Sequence, residues 1–114
     1  MTANEFRKAA LSFPGTTEID PYGSPEFRVR TRCFASLGGY PVGERAAVKL
    51  TPAEQAAYMA AEPNVFFLAK GDRGKKGWTI VELAEAKSET LRVAITQAWR
   101  NAATKQLLQE YDGS

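Results

Sequence analysis

The chain has 114 residues, with 15 Lys and Arg, 13 Asp and Glu, no His and one Cys, giving a formal charge of +2 on a composition that is 44% hydrophobic. These values describe one soluble globular domain, residues 1–114, that can bury roughly 65% of its unfolded surface without a disulfide or structural metal. The missing histidine excludes Ser-His-Asp and Cys-His nucleophile systems, the imidazole general base, HExxH zinc sites and proximal haem ligation together.

Thr2-Ala3-Asn4-Glu5 has capping-box spacing and starts a helix over residues 3–11. Pro14-Gly15 end it, and residues 16–25, which hold Pro21, Gly23 and Pro25, read as a long loop. Phe27-Arg28-Val29-Arg30 alternates at the strand period, with Phe27 and Val29 inward and both arginines outward. A turn near Thr31-Arg32 returns the chain through a second strand, Cys33 to Leu37, and residues 46–50 form a third. Thr51-Pro52-Ala53-Glu54 combines an N-cap, a Pro at the first helical position and Glu at the third, predicting a helix over 52–61 that ends before Pro63. Residues 65–69 read as a short buried strand, 70–77 as a glycine-spaced cationic loop and 78–83 as a further strand. Ser88 is positioned to cap one long last helix whose Leu91, Ile95, Ala98, Trp99 and Ala102 share an apolar stripe. The order α-β-β-β-α-β-β-α predicts an α+β two-layer domain, an antiparallel or mixed sheet of four to five strands with helices on one face.

No apolar run approaches the roughly 18 residues that span a bilayer, and Met1 to Ser12 lacks the apolar core of a signal peptide. With an unpaired thiol, a cytoplasmic location and no membrane partner are expected. Between Arg28 and Lys76 nine basic residues face four acidic ones, so the flanks are net acidic. Such a segment can place a phosphate-binding patch on the exposed sheet face, or simply keep that face soluble. The candidate nucleic-acid contacts are Arg28, Arg30, Arg32, Lys49, Arg73, Lys75, Lys76 and Trp78, with Trp78 as a stacking surface or a half-buried strand residue. The glycine-spaced loop is not a P-loop, since GxxxxGK[ST] is absent and a strand, not a helix, follows; Gly71, Gly74 and Gly77 read as flexible loop glycines. Tyr22 reads as a packing residue with its hydroxyl at the surface. Cys33 reads as a small apolar strand residue, although Arg32 beside it would favour a thiolate. Glu18 and Asp20 lack a second acidic cluster to complete a metal site, so no metal and no cofactor are expected.

Taken in order, Pro14-Gly15, PYGSPEFRV, CFASL, VKLTPAEQ, GWTIVEL and AWRNAATKQLL resemble the MmcQ/YjbR-like family of small bacterial proteins from about Phe13 to Leu108. The resemblance implies an α+β domain similar in outline to the frataxin-like CyaY fold, and a DNA-binding role ascribed to the family from its fold and basic double-wing hairpins. It picks out Gly23, Pro25, Phe27, Arg28, Val29, Lys49, Leu50, Gly77, Trp78, Trp99 and Arg100. Pro21-Tyr22-Gly23 stands where many members carry histidine, and Thr104 where many carry proline, which weakens a catalytic reading. The expected function is therefore non-enzymatic DNA binding through phosphates. The alternative is a module for an anionic small molecule or a protein partner, with a pocket near Tyr22, Arg28 and Trp78. Iron handling is disfavoured because the first helix offers Glu5 as its only acid.

Overall fold

Both expected capping boxes form in the computed structural model, which describes residues 1–113: Thr2 and Thr51 accept from the Glu5 and Glu54 amides, and each carboxylate reaches back to the cap amide. They open α1 (Ala3–Leu11) and α2 (Pro52–Ala61). The remaining elements are β1 (Thr16–Ile19), β2 (Glu26–Val29), β3 (Arg32–Gly38), β4 (Arg45–Lys49), β5 (Phe66–Leu68), α3 (Asp72–Lys75), β6 (Trp78–Glu82), α4 (Ser88–Ala102) and α5 (Lys105–Gly113). The strands make one antiparallel sheet in the order β1-β2-β3-β4-β6-β5.

Strand alternation sorts the two faces. Phe27, Ala35, Val48 and Thr79 stand opposite one another on four strands, and Leu37, Ala46, Val81 and Phe66 form a second buried row. Against these rows α1 packs Phe6, Ala9 and Ala10, and α4 packs Leu91, Ala94, Ile95, Ala98 and Trp99. Trp99 is wholly buried; it stacks on Phe13 at 5.2 Å and its indole N–H donates to the Pro14 carbonyl. A β-bulge interrupts β3: Phe27 faces Ala35 but Arg28 faces Cys33, so Phe34 is the extra residue, and both Phe34 and Ala35 are buried.

Several expectations are corrected. The sheet has six strands, because Thr16–Ile19, read as loop, pairs with β2 as a half-buried edge. Residues 70–77 contain the short helix α3. The last helix is two: Ala103 is extended (φ −70°, ψ 149°) and the Thr104 hydroxyl accepts from the Leu107 amide to start α5. Ser88 is the first residue of α4 rather than its cap, which is Lys87 and makes no side-chain capping bond. The hairpin turns at Arg30-Thr31, one residue earlier than expected, and β5 exposes Phe67 and Leu68. Tyr22, read as a packing residue, is 92% exposed.

Gly74 and Gly77 are structural, not flexible. Gly77 adopts φ +107°, and a Cβ there would stand 1.7 Å from the Leu50 carbonyl oxygen. This approach lets the Gly77 carbonyl accept from the Leu50 amide at 3.0 Å, joining the end of β4 to the start of β6. From α2, the buried Gln55 amide donates to the Gly74 and Trp78 carbonyls and the Thr79 hydroxyl at 3.2, 3.0 and 3.1 Å. Thr79 in turn donates to the Gly77 carbonyl. Gly77→Ala is expected to lose about 3 kcal/mol or more of stability in urea unfolding, through backbone strain and collision with Leu50. Gln55→Ala should lose about 2–3 kcal/mol in the same assay, since buried acceptors then lose a donor.

Candidate nucleic-acid interface

The face of the sheet turned away from α1 and α4 carries the alternate residues of every strand. Arg28 opposite Cys33, and Lys49 opposite Trp78, form one row on it. Next comes Ile19, Glu26, Ser36, Ala47, Ile80 and Phe67, and then Gly38, Arg45 and Glu82. The first row is basic and aromatic, and it leads to the end of the sheet where β4 passes into α2.

At that end lies an open depression of about 680 Å³ lined by Arg32, Lys49, Thr51, Lys76, Trp78 and Asn101 among others. A smaller hollow of about 280 Å³ adjoins it through Arg32 and Ala102 and is bounded by Arg30 and Thr104. Each cation arrives by a separate local cause. The β3 bulge turns Arg32 to stand opposite Val29, toward the C-terminal end of α4. Gly77 and the α3 turn place Lys76, and strand alternation places Lys49 beside Trp78. Arg30 occupies the hairpin turn at φ +57°, a left-handed conformation that costs a non-glycine residue about 1 kcal/mol.

Among the described residues no ion pair engages Arg30, Arg32, Lys49, Arg73, Lys75 or Lys76. Arg28 differs: it bonds Glu26 at 2.8 Å, and that bond raises its pKa above the usual guanidinium range. It remains on the outer face as expected, but its charge is compensated. Lys75 is exposed on α3 and lines neither hollow. Arg73 lies 4.9 Å from the Trp78 ring centre and Lys49 5.8 Å, so the half-buried indole is held between cations. Thus Arg30, Arg32, Lys49, Lys76 and Trp78 converge, Arg73 joins them through the ring, and Arg28 and Lys75 do not contribute free charge to the groove. The expected pocket joining Tyr22, Arg28 and Trp78 does not form, because Tyr22 lies in the exposed β1–β2 loop while the Trp78 depression is at the β4–α2 end of the sheet.

Asn101 escaped the sequence reading. Its side-chain amide donates to Glu54 at 3.0 Å, tying the end of α4 to the start of α2 beside the groove; the polar break after Trp99-Arg100 was its only sequence signal. Because Thr51 and Glu54 already satisfy donors at the start of α2, an anion here would rely on side chains. Among the described residues no group of His, Cys, Asp and Glu has the arrangement to hold a metal, and Glu18 is paired with Arg7 at 2.6 Å. Burial first, then the Glu26 carboxylate, push the Cys33 thiol pKa up, and the thiol donates to the Ala35 carbonyl. Arg32 is on the opposite side of the strand from it.

A six-stranded antiparallel sheet covered by helices on one face and bearing a cationic groove at its end defines an α+β domain of two layers. The model of the YjbR family matches residues 11–101, and the chain belongs to that family. The fold is similar to the crystal structure of Deinococcus radiodurans protein DR2400, which carries the DUF419 domain: TM-score 0.74 at 20% identity, covering 96% of this chain and 86% of the other. No curated protein matches the sequence significantly. No helix among the described residues is long and apolar enough to cross a membrane.

A raised thiol pKa in the folded state stabilises the fold below the unfolded thiol value, and that contribution is lost as pH rises toward the folded value. Between about pH 7 and 10 the urea midpoint of the wild type should therefore fall further than that of Cys33→Val.

Proposed function

We propose that the protein binds DNA without catalysis, gripping phosphates with Arg30, Arg32, Lys49 and Lys76 and offering Trp78 to a base. The observation that carries this reading is the convergence of these uncompensated cations on one contiguous groove. Free charges serve phosphates better than paired ones, because an ion pair must first be broken and its carboxylate repels the backbone. The strain at Arg30 supports the same reading, since glycine would fit that turn better and would carry no charge. Contacts of this kind position a nucleic acid and carry little sequence information. Catalysis is not proposed: the chain has no histidine, and burial pushes the pKa of its single thiol, which lines the groove, up and away from the thiolate.

A compact anion in the same depression is the second reading, favoured by its concavity. Fluorescence anisotropy with labelled duplex and single strands separates the two. Four neutralised phosphates give a slope of log K against log salt of about −3.5 on duplex DNA. Arg32→Glu/Lys76→Glu should weaken binding at least about tenfold, whereas Arg28→Gln and Lys75→Gln change it little. No binding at about 50 mM salt, or binding indifferent to Arg32→Glu/Lys76→Glu, would remove the DNA reading. Affinity independent of oligonucleotide length, matched by a mononucleotide, would favour the compact anion.

A further inference from the structure

The middle row of the uncovered sheet face has a chemistry distinct from the basic groove. Ser36 and Ala47 are short side chains at its centre, while Ile80 and Phe67 rise beside them on β6 and β5. The result is a depression of about 570 Å³, within the range of sites for small organic ligands. Among the described residues only α3 reaches it, through Arg73 at its rim. Phe67 and Leu68 are 42% and 54% exposed on its β5 wall, two adjacent apolar side chains left in water at the edge of the hollow.

The charges around this hollow are unequal in a way that selects a ligand. Glu26 is neutralised by Arg28 at 2.8 Å and Glu82 by Arg45 at 3.0 Å. Lys70 and Arg73 line the same hollow, and among the described residues neither has an ion-pair partner. The uncompensated charge is thus positive and confined to the segment that follows β5, next to the apolar wall.

We infer that this hollow is a binding site for a small amphiphilic anion, a hydrocarbon body bearing a single carboxylate or phosphate head. The body lies on Ala47, Ile80 and Phe67, where it removes exposed apolar surface from water, and the head pairs with Lys70 and Arg73. A nucleic-acid strand fits this floor poorly, since its regularly spaced phosphates would cross apolar side chains and the paired carboxylates. The site does not depend on the DNA reading, with which it shares only Arg73. That guanidinium rests 4.9 Å from the Trp78 ring, so a head group drawing it away changes the surroundings of the indole. Trp99, wholly buried, gives a constant background.

The test is calorimetric and fluorescence titration of the full chain with dodecanoate and dodecyl phosphate below their micelle thresholds, with dodecyltrimethylammonium as the cationic control. Saturable one-to-one binding of either anion, with a shift in Trp78 emission and amide shifts at Ala47, Phe67 and Ile80 in NMR spectra, is expected. Lys70→Glu/Arg73→Glu should weaken it at least about tenfold, and so should Ala47→Leu, which fills the floor. The exposed pair Arg32→Glu/Lys76→Glu should leave it unchanged, which distinguishes this site from the groove. The proposal is overturned by no saturable binding of either anion up to about 1 mM, by equal binding of the cationic amphiphile, or by shifts confined to other residues.

Discussion

The side-chain amide of Gln55 fixes where the candidate groove of this protein stands. It is the one buried side chain of its helix, and it reaches three acceptors on two further elements, the Gly74 and Trp78 carbonyls and the Thr79 hydroxyl. A buried amide is costly without partners and directional with them, so α2, α3 and β6 can meet in one arrangement only. Gly77 completes that arrangement by letting the β4 and β6 backbones touch. Trp78, Lys76 and Arg73 inherit their positions from this junction; Lys49 ends its other strand and Thr51 caps α2 just beyond.

The uncovered face acquires a gradient of character from the same register. Compensated charge sits at one end, where Arg45 meets Glu82, an apolar strip crosses the middle, and free cations gather at the other. The pattern rests on pairing rather than composition. Arg28 and Arg45 count equally with Arg32 and Lys49 in the net charge, yet each of the first two has a carboxylate within 3.0 Å. Arg32, Lys49 and Lys76, which have no ion-pair partner among the described residues, line the depression where α2 begins, beside Asn101 near the end of α4.

Local signals with a strong physical cause were legible in the sequence. The two capping boxes, the Trp99 stripe and the alternation in β2 reappear as read, because each depends on residues within one element. Two short elements were not: β1 is recognisable only through its partner, and α3 only through Gln55 and the close packing of Gly74. The α4–α5 break was hidden because Ala102-Ala103 favours helix, and only the capping preference of Thr104 opposes it. For the site, sequence supplied the list of cations but not their partners. Glu26 reaches Arg28 from two residues away on the same strand, a pairing of side-chain rotamers, while Glu82 reaches Arg45 across the sheet, a relation that exists only once register is set.

The bulge at Phe34 is a phase shift in the strand. Upstream of it, odd and even positions exchange faces, so Cys33 turns outward toward Arg28 and Arg32 turns to the side that carries Val29. Side-chain identity plays no part in that exchange; a count of residues does. Were the strand to pair straight through Phe34 with no bulge, Phe34 would stand opposite Arg28, Cys33 would turn into the core and Arg32 out onto the flat of the sheet, with the composition of charge unchanged. Loss of the bulge would therefore redraw the electrostatic map of this face more sharply than most substitutions can.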